Sequence, residues 1–210
     1  MITGTLKLSA TPGAWRIFMS RKTAKAFRSI AQQVLERDHY TCQYCGFQAQ
    51  EYQEIVNQNG DFRNNQSSNL ATACCFCAQC FFLETVGKND YGGGTVIYLP
   101  EIAQTSLNGL CHVLFCAMTN ATHYRAEAES IYRSLKLRSQ TVEEQLGAGM
   151  SDPAVLGQIL IDAQMPNRQK DTSTLLQPLR LLPSYTLFQK QIETWAAAAL
   201  NELSGEKIAD

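Results

Sequence analysis

Two cysteine pairs constrain this chain more than any other feature: Cys42-Gln43-Tyr44-Cys45 and, 28 intervening residues later, Cys74-Cys75-Phe76-Cys77. A Cys-x2-Cys turn wraps its backbone around a metal ion so that two thiolates meet it from one side, and two such knuckles complete a tetrahedron. Four protein thiolates leave no position for water or substrate. The pattern predicts a structural zinc site, with Cys42, Cys45, Cys74 and Cys77 as ligands, that braces the fold and performs no chemistry.

Other uses of cysteine fit less well. Disulfides suit exported domains, and the N-terminus from Met1 to Leu8 alternates like a strand, without the basic stretch and apolar run of a signal peptide. A reducing cytoplasm is the compartment this favours. A thioredoxin-type redox centre needs one reactive pair, where this chain has two. Iron of the rubredoxin type comes closer, because Cys42-Gln43-Tyr44-Cys45-Gly46 would pass for its first knuckle. The Pro and Gly usual in its second are missing around Cys74 and Cys77. Zinc is favoured, and iron stays open. The second knuckle also has two registers, Cys74 with Cys77 or Cys77 with Cys80. Asn69 to Cys74 reads as a short element delivering Cys74 into the turn, which favours the first. Cys75, Cys80, Cys111 and Cys116 are then expected to act as small apolar residues.

The 210 residues are 45% apolar, enough to bury roughly 70% of the unfolded surface in one good core or in a small metal lobe plus a helical lobe. The net charge of -1 argues against a chain built to grip a polyanion. Arg16, Arg21, Lys22, Lys25 and Arg28 form a local basic stretch, expected as a solvated helix face because no aromatic residues interleave for base stacking. No run approaches the roughly 20 apolar residues of a membrane span.

Thr3–Leu8 and Trp15–Met19 read as strands joined by a turn at Pro12-Gly13, and Lys22–Asp38 as a helix leading into the first knuckle. Between the knuckles lie ten Gln and Asn residues from Gln48 to Asn69, predicting a short strand near Glu54-Ile55-Val56 and an exposed loop. Thr95–Leu99 reads as a strand ended by Pro100. A helix is predicted over Glu101–Met118, with Ile102, Leu110, Val113, Leu114 and Ala117 on one side. Further helices are predicted over His123–Arg138, after the Asp152-Pro153 cap, and over Tyr185–Leu203. The leucines at 175, 176, 181 and 182 are numerous for so short a connection, and part of that run is read as an exposed patch for a partner. His112 and His123 have no carboxylate beside them in sequence and are expected to be packed or solvated, not site residues.

The run Arg37-Asp38-His39-Tyr40-Thr41-Cys42-Gln43-Tyr44-Cys45-Gly46, with Asn69-Leu70 followed by Cys74 and Cys77, resembles the zinc module of HNH-family nucleases. That resemblance implies a histidine base on the strand between the knuckles and a second histidine after the last cysteine to help bind a catalytic metal. Here the strand reads Glu54-Ile55-Val56-Asn57-Gln58, Ala78 follows Cys77, and no histidine lies between Tyr40 and Cys111. An amide cannot take a proton from water near neutral pH, so the scaffold is expected without the chemistry and with no catalytic residue. Asn69 matches the family's middle Asn; without a base to orient, it is expected to bridge backbone.

Tyr44-Cys45-Gly46-Phe47-Gln48, the loop from Asn57-Gln58-Asn59-Gly60-Asp61 to Asn69-Leu70, Cys74 to Cys80, Gly93-Gly94 with Leu99-Pro100-Glu101, and the helical tail together resemble the IcmJ/DotN family of Dot/Icm type IVB secretion systems. The resemblance implies a cytoplasmic, non-catalytic adaptor of the inner-membrane coupling complex that reaches the membrane only through partners. Those partners would be the C-terminal extension of the coupling ATPase DotL, DotM and the IcmS–IcmW adaptor pair, with effector proteins recruited for export. The expected fold class is α+β: an HNH-like two-knuckle zinc-binding lobe with short strands over 1–100, packed on a mainly helical body over 101–210 as one unit. Two alternatives remain. One is an HNH-type nuclease with a displaced base such as His39 or His112; the other is a nucleic-acid-binding module using Arg16 to Arg28, although nucleic acid is not the expected partner.

Overall fold

Gly13, at a left-handed φ of 76°, turns the chain into helix α1 (Ala14–Thr23). The computed structural model describes residues 6–88, 90–120, 122–165 and 172–204. The expected strand at Trp15–Met19 is therefore helix, and the reason is geometric. Trp15 and Phe18 would leave a strand on opposite faces, whereas a helix puts them on one. Together they meet Phe82, at ring distances of 5.4 and 4.7 Å. Of the expected strand at Thr3–Leu8, residues 1–5 lie outside the described residues. Residues 6–8 carry no strand; the segment is tied down by Ser9 N–H on the Cys80 carbonyl (2.8 Å) and Leu83 N–H on the Ser9 carbonyl (3.1 Å).

Ala24 breaks into extended backbone before α2 (Lys25–Arg37), so the helix expected from Lys22 is two helices. Phe27 and Val34 of α2 pack with Ile55 and Leu70 from the hairpin of β1 (Gln53–Asn57) and β2 (Leu70–Cys74). These strands pair antiparallel, from Gln53 opposite Cys74 to Asn57 opposite Leu70. The basic stretch does not make one solvated face. Arg21 is buried, with Phe27 4.4 Å from its guanidinium, and Lys22 pairs with Glu54 at 2.6 Å.

One helical turn, α3 (Cys75–Ala78), follows β2 directly. After it come β3 (Gly94–Tyr98), α4 (Gln104–Thr119), α5 (Arg125–Leu137), α6 (Ser139–Leu146), α7 (Pro153–Ala163), α8 (Ser173–Leu176), β4 (Leu179–Pro183) and α9 (Gln189–Ser204). Half of the leucine run is no exposed patch: Leu181 and Leu182 lie buried in β4 with Leu179, while Leu175 and Leu176 lie half-buried in α8. Strand β4 pairs antiparallel with β3, from Gly94 opposite Pro183 to Tyr98 opposite Leu179. A Cβ at Gly94 would stand 2.5 Å from the Leu182 carbonyl oxygen, so the close pairing needs glycine.

The first turn of α4 forms three residues later than expected, and its inward face differs. Leu107, Cys111, Leu114, Phe115 and Met118 are buried, while Val113 is 66% exposed. On α5, Ala128 faces in, but Ile131 is exposed, as is Tyr124 just before the helix. Asp152 caps α7 as its sequence predicts, accepting from Ala154 N–H at 2.7 Å. The architecture is thus mixed and mostly helical, with two small antiparallel sheets. Beside the small cluster of Phe27, Val34, Ile55 and Leu70, a larger buried cluster runs from Leu6 to Ile192, drawing on both halves of the chain.

Candidate metal centre

The first knuckle begins where α2 ends. His39 and Tyr40 adopt left-handed φ values of 51° and 53°, reversing the chain, and Gly46 at 79° closes the turn. Within it, Cys42 N–H donates to the Phe47 carbonyl (2.8 Å) and Gly46 N–H to the Cys42 carbonyl (2.9 Å). Asp38 clamps this turn to β2 by accepting from Thr72 N–H at 2.9 Å, while Gln43 N–H donates to the Thr72 carbonyl at 2.8 Å. Burial works against the Asp38 charge, yet hydrogen bonds from Arg37 and Thr72 outweigh it and hold the carboxyl below its ordinary value. The second knuckle is simpler. Cys74 ends β2, and α3 places Cys77 one turn further along on the same side.

The Sγ atoms of Cys42, Cys45, Cys74 and Cys77 all lie within 4.8 Å of one another. Cys45 and Cys74 are 3.6 Å apart, far longer than a disulfide and close to the roughly 3.8 Å edge of a tetrahedron with 2.3 Å zinc–sulfur bonds. All eight cysteines are free thiols. Cys80 stays outside the cluster and donates to the Phe76 carbonyl at 3.4 Å, so the register that converges is Cys74 with Cys77. Burial pushes the Cys80 thiol up to about 12, as befits a small apolar residue.

The electrostatics of the four differ. Hydrogen bonds from Cys45, Cys74 and Cys77 drive the Cys42 thiol far below its ordinary value, whereas burial pushes Cys74 and Cys77 well above theirs. One anion is thus stabilised by its neighbours, but four clustered thiolates, three of them buried, require a cation among them. An all-sulfur tetrahedral donor set suits a soft divalent ion such as zinc, or iron, and these residues fit it.

The structure places against this cluster one residue that sequence reasoning set aside, His112, and one that it overlooked, Asn108. Asn108 Nδ2 is 3.2 Å from Cys77 Sγ, and His112 Nε2 is 3.3 Å from Cys74 Sγ. The signal was present as three polar residues, Gln104, Asn108 and His112, recurring every fourth position along a helix whose other buried residues are all apolar. Asn69 bridges backbone as expected: its Oδ1 accepts from Asn59 N–H (3.2 Å), and its Nδ2 donates to the Asn64 carbonyl (3.0 Å). The strand residue Asn57 is buried and saturated. Its Oδ1 accepts from Arg21, and its Nδ2 donates to the carbonyls of Asp61 (2.8 Å) and Asn64 (2.5 Å). A cleft of about 810 Å³ is lined by Leu6 to Thr11, Gln104, Gln164 and Arg180 among others, and none of the clustered cysteines reaches it.

A mostly helical protein with two small sheets and four converging thiols belongs to the broad class of two-knuckle cysteine proteins, and no protein-family model matches the chain to narrow that class. A full-length relative does. The type 4 apparatus protein DotN of Legionella pneumophila subsp. pneumophila is 58% identical over 199 residues, covering 95% of this chain and 92% of the relative. The chain belongs to the DotN family. Among the described residues, no helix is long and apolar enough to cross a membrane.

Proposed function

We propose that this chain is a non-catalytic adaptor subunit of a type IVB secretion coupling complex, stabilised by zinc bound through Cys42, Cys45, Cys74 and Cys77. The observation that carries the reading is near-full-length likeness to a type 4 apparatus protein. In this role the chain is cytoplasmic and binds the C-terminal extension of the coupling ATPase DotL. It works beside DotM and the IcmS–IcmW pair, helps recruit effector proteins for export, and meets the membrane only through those partners. The ion supplies charge neutralisation and a cross-link between β2, α3 and the turn after α2. Apparent zinc binding free energies of about 10–16 kcal/mol in small domains match or exceed the whole stability of a typical fold.

The hairpin and its knuckles are a degenerate HNH module in this reading. Its support is that amides, Asn57 or Gln58, stand where the family's base would, and that Asn57 is buried with its side chain bonded to Arg21 and to backbone carbonyls. His112, a candidate displaced base, is buried and faces a cysteine.

Co-expression with the C-terminal extension of the coupling ATPase, followed by size-exclusion chromatography and metal analysis, tests the proposal. The expected result is a stable complex holding one zinc per chain. Failure to bind any coupling component, or magnesium- or manganese-dependent plasmid nicking that a histidine substitution abolishes, would overturn it.

A further inference from the structure

The apolar helix α4 carries one polar seam on its inward side: Gln104, Asn108 and His112, all buried. Buried polar groups must be matched, and the matching here fixes which atom points where. Leu181 N–H of β4 donates to Gln104 Oε1 at 2.8 Å, and Gln104 Nε2 donates back to the Leu181 carbonyl at 2.8 Å. Gln104 is thereby locked, and the same Nε2 donates to Asn108 Oδ1 at 2.9 Å. With its oxygen taken, Asn108 can offer Cys77 Sγ only its N–H, over 3.2 Å. One turn further, the His112 ring is clamped between Phe47 and Phe76, at 3.6 and 4.3 Å and nearly parallel to both, with Nε2 3.3 Å from Cys74 Sγ. Its Nδ1 is buried without a hydrogen-bond partner.

We propose that Asn108 and His112 are outer-shell donors of the metal centre, their N–H groups stabilising the Cys77 and Cys74 thiolates so that α4 sets how tightly the centre holds its ion. This inference rests on the metal-binding reading above. A divalent ion with four thiolates leaves excess negative charge on sulfur. Cys45 is partly exposed and can share its charge with water, but Cys74 and Cys77 are fully buried. Their charge has to be met by protein donors, and the seam delivers one to each. Gln104 is a positioning residue in this scheme: it reads the β4 backbone and orients Asn108 accordingly.

The test uses the full chain with Asn108→Leu, His112→Leu and the donor-retaining His112→Gln. Zinc affinity is measured by competition with a chromophoric chelator, and cobalt-substituted protein supplies the thiolate-to-metal charge-transfer spectrum. Each Leu variant is expected to bind zinc 10–100-fold more weakly and to move the charge-transfer band to lower energy, because a sulfur that loses its N–H donor is easier to oxidise. His112→Gln is expected to recover part of both changes. Wild-type affinity and an unmoved band in the Leu variants would overturn the inference and leave the metal site standing. A wild-type chain that takes up neither zinc nor cobalt would remove both readings. Should a Leu variant fail to fold, nitrogen-15 spectra of cadmium-113-loaded wild type decide the matter: scalar coupling from the Asn108 amide and the His112 Nε2–H to cadmium is expected, and its absence from both refutes the role.

Discussion

Two glycine-to-alanine substitutions should have opposite effects on stability, although both lie in helix interiors. In α7, a Cβ at Gly157 would stand 2.2 Å from Glu84 N, 2.6 Å from Glu84 Cα and 2.6 Å from Leu83 C. These are backbone atoms with no rotamer to change, so helix and turn must separate by about 1 Å or more to reach ordinary contact. Overpacking of this kind costs about 1–3 kcal/mol, and a clash between two backbones sits at or above the upper end. The gain in helix propensity recovers up to about 1 kcal/mol. Gly157→Ala should therefore destabilise by about 2 kcal/mol, lowering Tm by roughly 4–8 °C for a chain of this size. At Gly109 in α4 the nearest atom is the Cys45 carbonyl oxygen at 3.7 Å, an ordinary contact. There only the propensity term acts, and Gly109→Ala should stabilise by about 0.5–1 kcal/mol. Urea and thermal unfolding at fixed metal content measure both. Gly157→Ala proving as stable as wild type while Gly109→Ala gains would refute the backbone contact between α7 and residues 83–85.

Metal removal should be the largest perturbation: Cys74→Ala, or chelation of wild type, is expected to unfold at least the hairpin and both knuckles, and retention of native hydrogen-exchange protection in β1 and β2 would contradict it. Arg21→Met strips a cation from Asn57, Asn65 and the Ile55 carbonyl and leaves Asn57 Oδ1 buried without a donor, for a loss of about 2–4 kcal/mol by urea unfolding. A loss below about 0.5 kcal/mol would show those bonds to be unimportant. Glu84 gives a pH dependence. Burial raises its carboxyl from 4.5 to about 7, so between those values the folded chain holds the proton more firmly than the unfolded chain, and stability falls as pH rises through the window. Allowing for the solvent that still reaches the carboxyl, the contribution is about 1–2 kcal/mol; Glu84→Gln should remove that part of the slope, and an unchanged slope would exclude Glu84 as its source.

What the sequence conveyed depended on how local each signal was. The knuckle spacing, the Asp152-Pro153 cap and the β-branched run at Thr95 each act within a few residues, and each formed in the expected place. Trp15 to Met19 was misread because Pro12-Gly13 looks like a hairpin turn, whereas Phe18 and Trp15 take their conformation from Phe82 far along the chain. β4 was missed because a strand of leucine, arginine and proline gains its identity from β3, on the other side of α4 to α8. His112 looked ordinary for a related reason: no neighbour in sequence orients it, and the groups that do are Phe47, Phe76 and Cys74.

The pairing of β3 with β4 bears on the order of events during synthesis. A ribosome releases both knuckles, and the hairpin between them, long before residue 179 leaves the exit tunnel. Until that moment β3 has an open edge, and Gln104 lacks the backbone that orients it. Any ion the knuckles hold can be captured early, whereas the second sheet closes only once β4 has emerged. In that interval chaperones have most to protect.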